Sequence, residues 1–150
     1  CGLGGFYFVA FTWNWEWNHF EYGFDASLPQ LPLSIKRGAG NGGVTVYRFE
    51  DLYMMCIPGR HERLVRWPCI VHDWDNTPRS GENGVVFLGS TPALFEKQVK
   101  TALESVEGRD PFIVIKSWNE WAEGNYLEPD AKNGRAYLEA LRSVVNSKVA

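Results

Sequence analysis

Three apolar runs along the chain have the length and composition of β-strands. Residues 5–11 form a continuous, aromatic-rich run, residues 64–72 form a second run that contains Pro68, and residues 111–117 form the clearest of the three. Short continuous apolar runs are typical of strands that are buried on both faces. The pattern at residues 44–47 predicts a further short strand.

Two longer stretches place apolar residues at helical spacing. The first follows Thr91 and Pro92, a favourable N-cap and first-turn residue, and Gly108 is its expected end. The second covers residues 133–148, and residues 50–56 predict a short helix. The pattern therefore predicts two amphipathic helices and one short helical segment.

Two other segments have a different character. Residues 24–43 are rich in Pro, Gly and Asn, so we expect a long loop without regular structure. Residues 12–20 alternate between polar and aromatic types, and an extended chain would place Trp13, Trp15 and Trp17 on one face. Two interpretations of that face stay open: the packed side of a β-ribbon, or a platform on which sugar rings stack.

Strands separated by amphipathic helices indicate an α/β fold built from parallel βα units. Three such units cannot close an eight-stranded barrel, which needs ~250 residues. The chain is then either a small open α/β sheet or the C-terminal part of a (β/α)8 TIM barrel, incomplete on its own. Because the sequence opens at Cys1 rather than Met, we expect a truncated start and prefer the second interpretation, with residues 1–150 as one partial (β/α) barrel domain.

Composition and charge argue against several classes of protein. No apolar run approaches the ~18 residues that a membrane-spanning helix needs, and no secretory signal is visible. Lys and Arg are scattered and the net charge is -3, so we expect no nucleic acid partner. Cys1, Cys56 and Cys69 lack CxxC spacing, which favours a reducing, cytoplasmic location. We expect no metal site and no cofactor.

Tryptophan is frequent and lies in polar surroundings. Most of the seven tryptophans neighbour Asn, Asp or Glu, and a flat apolar face beside hydrogen-bonding groups suits a sugar ring. The polar segments 13–18, 73–79 and 118–123 each follow a predicted strand. Because the carboxyl ends of barrel strands share one face, where active sites form, we expect these segments to converge on one pocket.

Glu120 and Glu123 are the candidate catalytic pair. A separation of three residues places side chains on opposite faces of a strand, but ~5–6 Å apart in a helical turn. Both reach one substrate if the strand ends near Glu120 and the chain turns before Glu123, which Gly124 permits. Two carboxylates so placed suit acid and base roles at a glycosidic bond. The alternative is a solvated acidic loop with two ordinary surface glutamates.

The segment 73–79 offers carboxylates, an amide and a guanidinium, from Asp73, Asp75, Asn76 and Arg79. Such groups can bind sugar hydroxyls or a developing charge. The competing interpretation is a loop held by Asx turns around Pro78. A metal site that combines His72 with the two aspartates is a weaker alternative, since oxygen-rich triplets are common in loops.

Residues 118–130, Trp-Asn-Glu-Trp-Ala-Glu-Gly-Asn-Tyr-Leu-Glu-Pro-Asp, resemble the signature of the WbsX-like family, which is related to glycoside hydrolase family 99. Residues 23–26, 74–79 and 90–95 agree with the same family, in the expected order. The resemblance implies that the chain is the C-terminal half of a glycoside hydrolase family 99-like (β/α)8 barrel, with the N-terminal half as its partner. It also implies action on an oligo- or polysaccharide, often in O-antigen, capsule or lipopolysaccharide biosynthesis.

The resemblance further assigns roles to residues. Glu123 would be the general acid/base, and Glu120 would help the 2-hydroxyl of the substrate attack the anomeric carbon, giving a 1,2-anhydro sugar intermediate. Ala122 and Trp74 differ from the hydrolase pattern. The residues expected to bind substrate are Trp13, Trp15, Trp74, Asp75, Asn76, Arg79, Trp118, Asn119 and Trp121.

Three functions follow from this reading of the sequence. The favoured one is a retaining glycoside hydrolase-like enzyme. Because WbsX-like proteins are commonly labelled glycosyltransferases, a glycosyltransferase is the alternative among enzymes. A non-catalytic glycan-binding module is the third interpretation.

Overall fold

The computed structural model describes residues 4–12, 14, 16–30, 43–59, 63–108 and 112–149. The strands within this part of the chain are β1 (Val9–Thr12), β2 (Ala26–Pro29), β3 (Thr45–Arg48), β4 (Cys69–Val71), β5 (Val85–Leu88), β6 (Val114–Lys116), β7 (Asn119–Glu120) and β8 (Asn125–Tyr126). The α-helices are α1 (Phe49–Leu52), α2 (Thr77–Ser80), α3 (Pro92–Ser105) and α4 (Ala136–Val149). Short 3-10 helices lie at His19–Tyr22, Tyr53–Cys56, Gly81–Asn83 and Trp121–Glu123.

Four extended segments lie side by side in chain order, and all of them run parallel. β1 pairs with β2, and β4 pairs with β6. The bridge between Ser27 and Arg66 joins β2 to the segment that leads into β4. The strands of a (β/α) barrel follow one another in this way, whereas the order reverses once in a doubly wound sheet. The parallel strands together with the helices confirm the α/β class. Because the described strands do not close into a barrel, the barrel stays a prediction.

The predicted long loop at residues 24–43 is wrong in one part, because it contains β2. This strand is buried along its whole length, although Pro29 lacks a backbone donor. The backbone N–H of Ala26 donates to Phe8, just before β1, and that of Gln30 donates to Thr12 in β1. The N–H of Ser27 donates to Val65, on the opposite side of β2. Residues two apart in a strand face the same way. The side of β2 on which Pro29 lacks an N–H group is therefore the side to which Ser27 donates. The hydrogen bonds between β2 and β1 are not affected.

The first strand is shorter and more exposed than predicted. β1 begins at Val9, and the preceding residues, from Phe6 to Phe8, are exposed. Phe11 is exposed as well, so the prediction of a strand buried on both faces is wrong. The physical reason is that β1 buries one face, that of Ala10 and Thr12, whereas Phe11 points to the other face, which the described residues leave uncovered. β1 also has β2 on one side and no strand on its other side within the described residues.

The chain turns directly after β1 instead of continuing as an alternating strand. The Thr12 hydroxyl accepts a hydrogen bond from the backbone N–H of Asn14 at 3.0 Å. The carbonyl of Asn14 then accepts a hydrogen bond from the backbone N–H of Trp17 at 3.2 Å. These local bonds to Thr and Asn compete with an extended backbone. The extended chain that the alternation of residues 12–20 predicts is therefore wrong for the described residues of this segment. Trp13 and Trp15 lie outside the described residues.

Both long helices form where the sequence predicts them. The side chain of Thr91 accepts a hydrogen bond from the backbone N–H of Leu94, and Pro92 is the first helical residue of α3. α3 and α4 pack on the sheet through a shared apolar core, which consists of Ile70, Phe95, Val99, Ala102, Leu127, Tyr137, Ala140 and Val144. β5, which the sequence reading missed, pairs with β3.

The second core lies between the sheet, α1 and β5. It contains Cys56 and Cys69, which are both buried free thiols. Burial raises the pKa of Cys69 to about 11 and also raises the pKa of Cys56. Both side chains therefore act as small apolar core residues at neutral pH. In the part of the chain that is described, no helix is long and apolar enough to cross a bilayer.

His72 follows β4 and is buried behind the loop that carries the candidate glutamates. The residue is 3% exposed. The rings of Phe95, Tyr126 and Tyr137 surround it at centroid distances of 5.0 to 6.0 Å. Burial lowers the pKa of His72 to about 4, although a hydrogen bond to the backbone of Tyr126 and the charge of Asp130 oppose this shift. The imidazole is therefore neutral at neutral pH.

We expect the free energy of unfolding to decrease between pH 6.5 and about pH 4 because of His72. In this window the unfolded histidine takes up a proton and the folded one does not, so stability that is present above pH 6.5 is lost as the pH falls. The shift corresponds to about 3 kcal/mol. His72→Phe keeps an aromatic ring and removes the titration. Urea unfolding across this range should show a weaker pH dependence in the variant, and parallel profiles would contradict the prediction.

Candidate functional site

Glu120 and Glu123 follow β6 on a short, sharply turned segment. β7 ends at Glu120, and the 3-10 helix Trp121–Glu123 follows at once. Gly124 ends this turn with a φ of 59°, a left-handed conformation that glycine adopts without strain. The chain therefore turns between the two glutamates, as the spacing argument requires.

Both glutamate side chains contact one cation. Nη1 of Arg79 lies 3.0 Å from Oε1 of Glu123, and Nη2 lies 3.6 Å from Oε1 of Glu120. The Glu123 side chain is the more enclosed of the two, at 14% exposed against 38% for Glu120. The two carboxylates therefore face a common space. This geometry agrees with the sequence prediction, while a catalytic role for the pair stays a prediction.

Arg79 belongs to a turn that neighbouring polar side chains hold in place. Oδ1 of Asp75 accepts hydrogen bonds from the backbone N–H and the hydroxyl of Thr77, at 2.9 and 2.6 Å. Oδ1 of Asn76 accepts a hydrogen bond from the backbone N–H of Val85 at 2.7 Å. Asp75 and Asn76 therefore hold the turn, which agrees with the Asx interpretation, and Arg79 reaches out to the glutamates.

The loops that follow β4 and β6 are joined by hydrogen bonds to the main chain. The backbone N–H of Asp75 donates to the carbonyl of Glu123 at 2.8 Å. The side-chain amide of Asn125, which is fully buried, donates to the carbonyl of Asp73 at 2.7 Å. Burial raises the pKa of the Asp73 carboxyl. Two of the three polar segments that the sequence predicts to converge are therefore one structural unit.

The tryptophans nearest the glutamates are exposed. Trp118 and Trp121 are each about half exposed, and Asn119 is exposed on β7, where it pairs with Tyr126. The sequence reading did not select Tyr126 or Glu128, although both contact Trp121. A signal was available, because both residues lie inside the motif at residues 118–130.

Trp74 lies in the core instead of lining an open surface. It is 3% exposed and packs against Phe87. The ammonium group of Lys116 lies 5.1 Å from its ring centroid, a distance within the range of a cation–π contact. Because almost none of the Trp74 side chain is exposed, neither face of its ring is open to a sugar. The position of Trp74 therefore favours a structural role. Among the described residues, no three His, Cys, Asp or Glu side chains are grouped as a metal site.

The polar segment after β1 lines a pocket of its own. This pocket has a volume of about 300 Å³ and is lined by Phe11, Thr12, Asn14 and Trp17. The ring of Trp17 contacts those of His19, Tyr22 and Phe24, within the same part of the chain. Convergence of this segment with the glutamates stays a prediction.

The sequence of this chain matches a known protein family. The family model described as Glycosyltransferase WbsX matches residues 2–141. The chain belongs to the WbsX glycosyltransferase family. The match includes both glutamates and Arg79, so the unit described above lies inside the region that characterises the WbsX family.

Two curated proteins are similar to part of the WbsX-family chain. Both carry the name "Uncharacterized protein WxcX" and come from Xanthomonas campestris pv. campestris, strains B100 and ATCC 33913. Each is 35% identical over 83 residues, which is 53% of this chain and 12% of the relative. The chain therefore matches a small part of these longer proteins. No solved structure matches it significantly.

Gly124→Ala is expected to destabilise the protein more than Gly134→Ala. The two glycines have nearly the same φ, 59° and 56°, so each substitution carries a similar backbone cost of about 1–2 kcal/mol. A Cβ at Gly124 would lie 3.2 Å from the backbone nitrogen of Asp75, whereas at Gly134 it would meet nothing within 4 Å. The excess should be about 1–3 kcal/mol. Urea unfolding measures it, and equal losses would show that the contact between the two loops is unimportant.

Proposed function

We propose that this chain carries the catalytic carboxylates of an enzyme that cleaves glycosidic bonds of an oligo- or polysaccharide with retention of configuration. The observation that supports the proposal is the convergence of Glu120 and Glu123 on Arg79, directly after a parallel strand. Active sites of parallel α/β folds lie at this end of the strands. Membership of the WbsX family supports carbohydrate as the substrate class.

The proposed roles of the two carboxylates are those that the family resemblance implies. Glu123, the less exposed one, donates a proton to the leaving glycosidic oxygen. Glu120 takes the proton of the 2-hydroxyl, whose oxygen attacks the anomeric carbon as the bond to the leaving group breaks. The product is a 1,2-anhydro sugar. Water then opens this ring, with Glu123 accepting a proton from water and Glu120 returning one to the 2-oxygen.

Arg79 suits this exchange because it contacts both acids. In each step one glutamate gains a proton while the other loses one, so the pair keeps one negative charge throughout. A guanidinium presents several donors in a rigid plane and can remain paired with whichever carboxylate is ionised. Arg79 would therefore position the pair, in addition to the substrate contact that the sequence predicts.

A glycosyltransferase is the second candidate, because the name of the family favours it. Such an enzyme needs an activated donor, and common donors carry phosphate groups. Glu120, Glu123 and Glu128 carry three negative charges, against the one positive charge of Arg79. Negative charges repel a diphosphate at short range. The local charge therefore favours a neutral glycan and hydrolysis.

We also propose that the N-terminal half of a (β/α)8 barrel completes the fold around this site. The parallel strands in chain order support this proposal. So do the exposed side chains of Phe6, Phe8 and Phe11, which further elements of the barrel would cover. The curated relatives are long enough to supply those strands, since the matched region is 12% of their length.

Glu123→Gln in the intact protein is expected to lower the release of reducing ends from a polysaccharide by about 10²–10⁴-fold. The amide has the shape of the acid and cannot transfer the proton, so the melting temperature should change little. Glu139→Gln, at an exposed acid on α4, is the matched control. Unchanged cleavage in Glu123→Gln would remove this residue from the mechanism.

Assays of donor dependence and of glycan binding separate the other candidates. Turnover that requires a nucleotide-sugar or lipid-phosphate donor would favour the glycosyltransferase. Glycan binding that survives loss of both glutamates, with no cleavage of any substrate tested, would favour a non-catalytic module.

Arg79→Gln should lower kcat by about ten-fold or more, because misplaced catalytic groups are costly to turnover. Arg79→Lys keeps the charge but loses the fork that spans two acids, so it should restore part of the rate. Arg48→Gln is the control, since Arg48 also lies beside two acids, 2.6 Å from Glu50 and 4.0 Å from Asp51. An equal loss of kcat in the Arg48 variant would show that the effect of Arg79 is general.

A further inference from the structure

Trp121 is held in one orientation by two neighbours. Its ring stacks on that of Tyr126, with centroids 3.6 Å apart and planes inclined by 11°. Its indole N–H donates to Oε2 of Glu128 at 2.6 Å. Trp121 nevertheless stays 49% exposed. One face and the polar edge of the indole are therefore occupied, and an apolar face remains open.

The occupied edge limits what the open face can bind. The N–H group is the hydrogen-bond donor of an indole, and here Glu128 already accepts it. A ligand on the open face is therefore held by contact with the ring surface. The face of an aromatic ring carries partial negative charge, which suits the C–H groups on the apolar side of a pyranose. Trp118 is similarly exposed, but no ring stacks on it among the described residues.

Trp121 is a neighbour of the candidate catalytic pair in the chain. It directly follows Glu120, the last residue of β7, and begins the 3-10 helix that ends at Glu123. The carboxylates of Glu120 and Glu128 would disfavour a phosphorylated ligand on this face, as opposed to an uncharged ring. A fixed ring loses little conformational freedom when a ligand binds, so binding is more favourable than to a mobile one.

We propose that the open face of Trp121 is a preformed subsite for one pyranose ring of a neutral glycan, and that Tyr126 and Glu128 are positioning residues for it. The inference rests on the proposed function for its substrate class. It goes further by naming the contact surface, the type of ligand group and the two residues that fix the ring.

The subsite is tested by binding to the Glu120→Gln, Glu123→Gln double variant of the intact protein, which separates binding from turnover. An array of bacterial O-antigen and capsular polysaccharides, with neutral glucose, mannose and galactose hexasaccharides, supplies the probes. Calorimetry with the strongest neutral binder then gives Kd. Adding Trp121→Ala should weaken binding by about ten-fold, whereas Trp121→Phe, which keeps a stacking face, should weaken it less.

Phe112→Ala is the matched control, since Phe112 is 54% exposed and precedes β6 at its other end. Glu128→Gln keeps an acceptor for the indole N–H, so it should bind better than Glu128→Ala. Equal Kd values with and without Trp121, or equal effects of Trp121→Ala and Phe112→Ala, would overturn the inference. So would the absence of binding to every probe at concentrations on the order of 10 mM. Binding that does not depend on Trp121 contradicts the subsite alone, whereas cleavage by Glu123→Gln contradicts the mechanism alone.

Discussion

The candidate site depends on one interaction, the contact of the Arg79 guanidinium with the carboxylates of both Glu120 and Glu123. It joins two loops that are 44 residues apart in the sequence and brings both carboxylates to one side of the fold. The cation reduces the repulsion between two acids that would otherwise separate. Main-chain hydrogen bonds between the same loops act in the same direction, because they fix where each side chain starts. Each carboxylate therefore has a defined position before any substrate arrives.

The sequence predicted those parts of the structure that depend on local chemistry. The N-cap at Thr91 and the turn permitted by Gly124 are set by a few neighbouring residues, and both form as expected. Periodicity likewise identified α3 and α4, because each buries one face over four turns. The spacing of Glu120 and Glu123, together with the glycine at position 124, predicted that the two side chains face one space. The contact between the loops after β4 and β6 agrees with the predicted convergence, while one pocket shared with the segment after β1 stays a prediction.

The errors arose where pairing over distance overrode local composition. β2 was hidden by prolines and glycines, yet the pairing partners on both sides stabilise it. Conversely, the aromatic alternation after β1 looked like a strand, but hydrogen bonds of Thr12 and Asn14 turn the chain there. Trp74 was selected because it lies in a polar segment. Its burial depends on Phe87 and Lys116, which are distant in sequence and gave no signal.

Among the described residues β1 has no strand on one of its two sides, and this has a consequence for handling the protein. An unpaired strand edge presents backbone donors and acceptors in register for another strand. Here that edge lies beside Phe6 and Phe8, whose rings are 6.1 Å apart, and both side chains are exposed. Copies of the chain would associate through this edge as the protein concentration rises. Phe11→Lys would place a charge beside the edge and keep the copies apart.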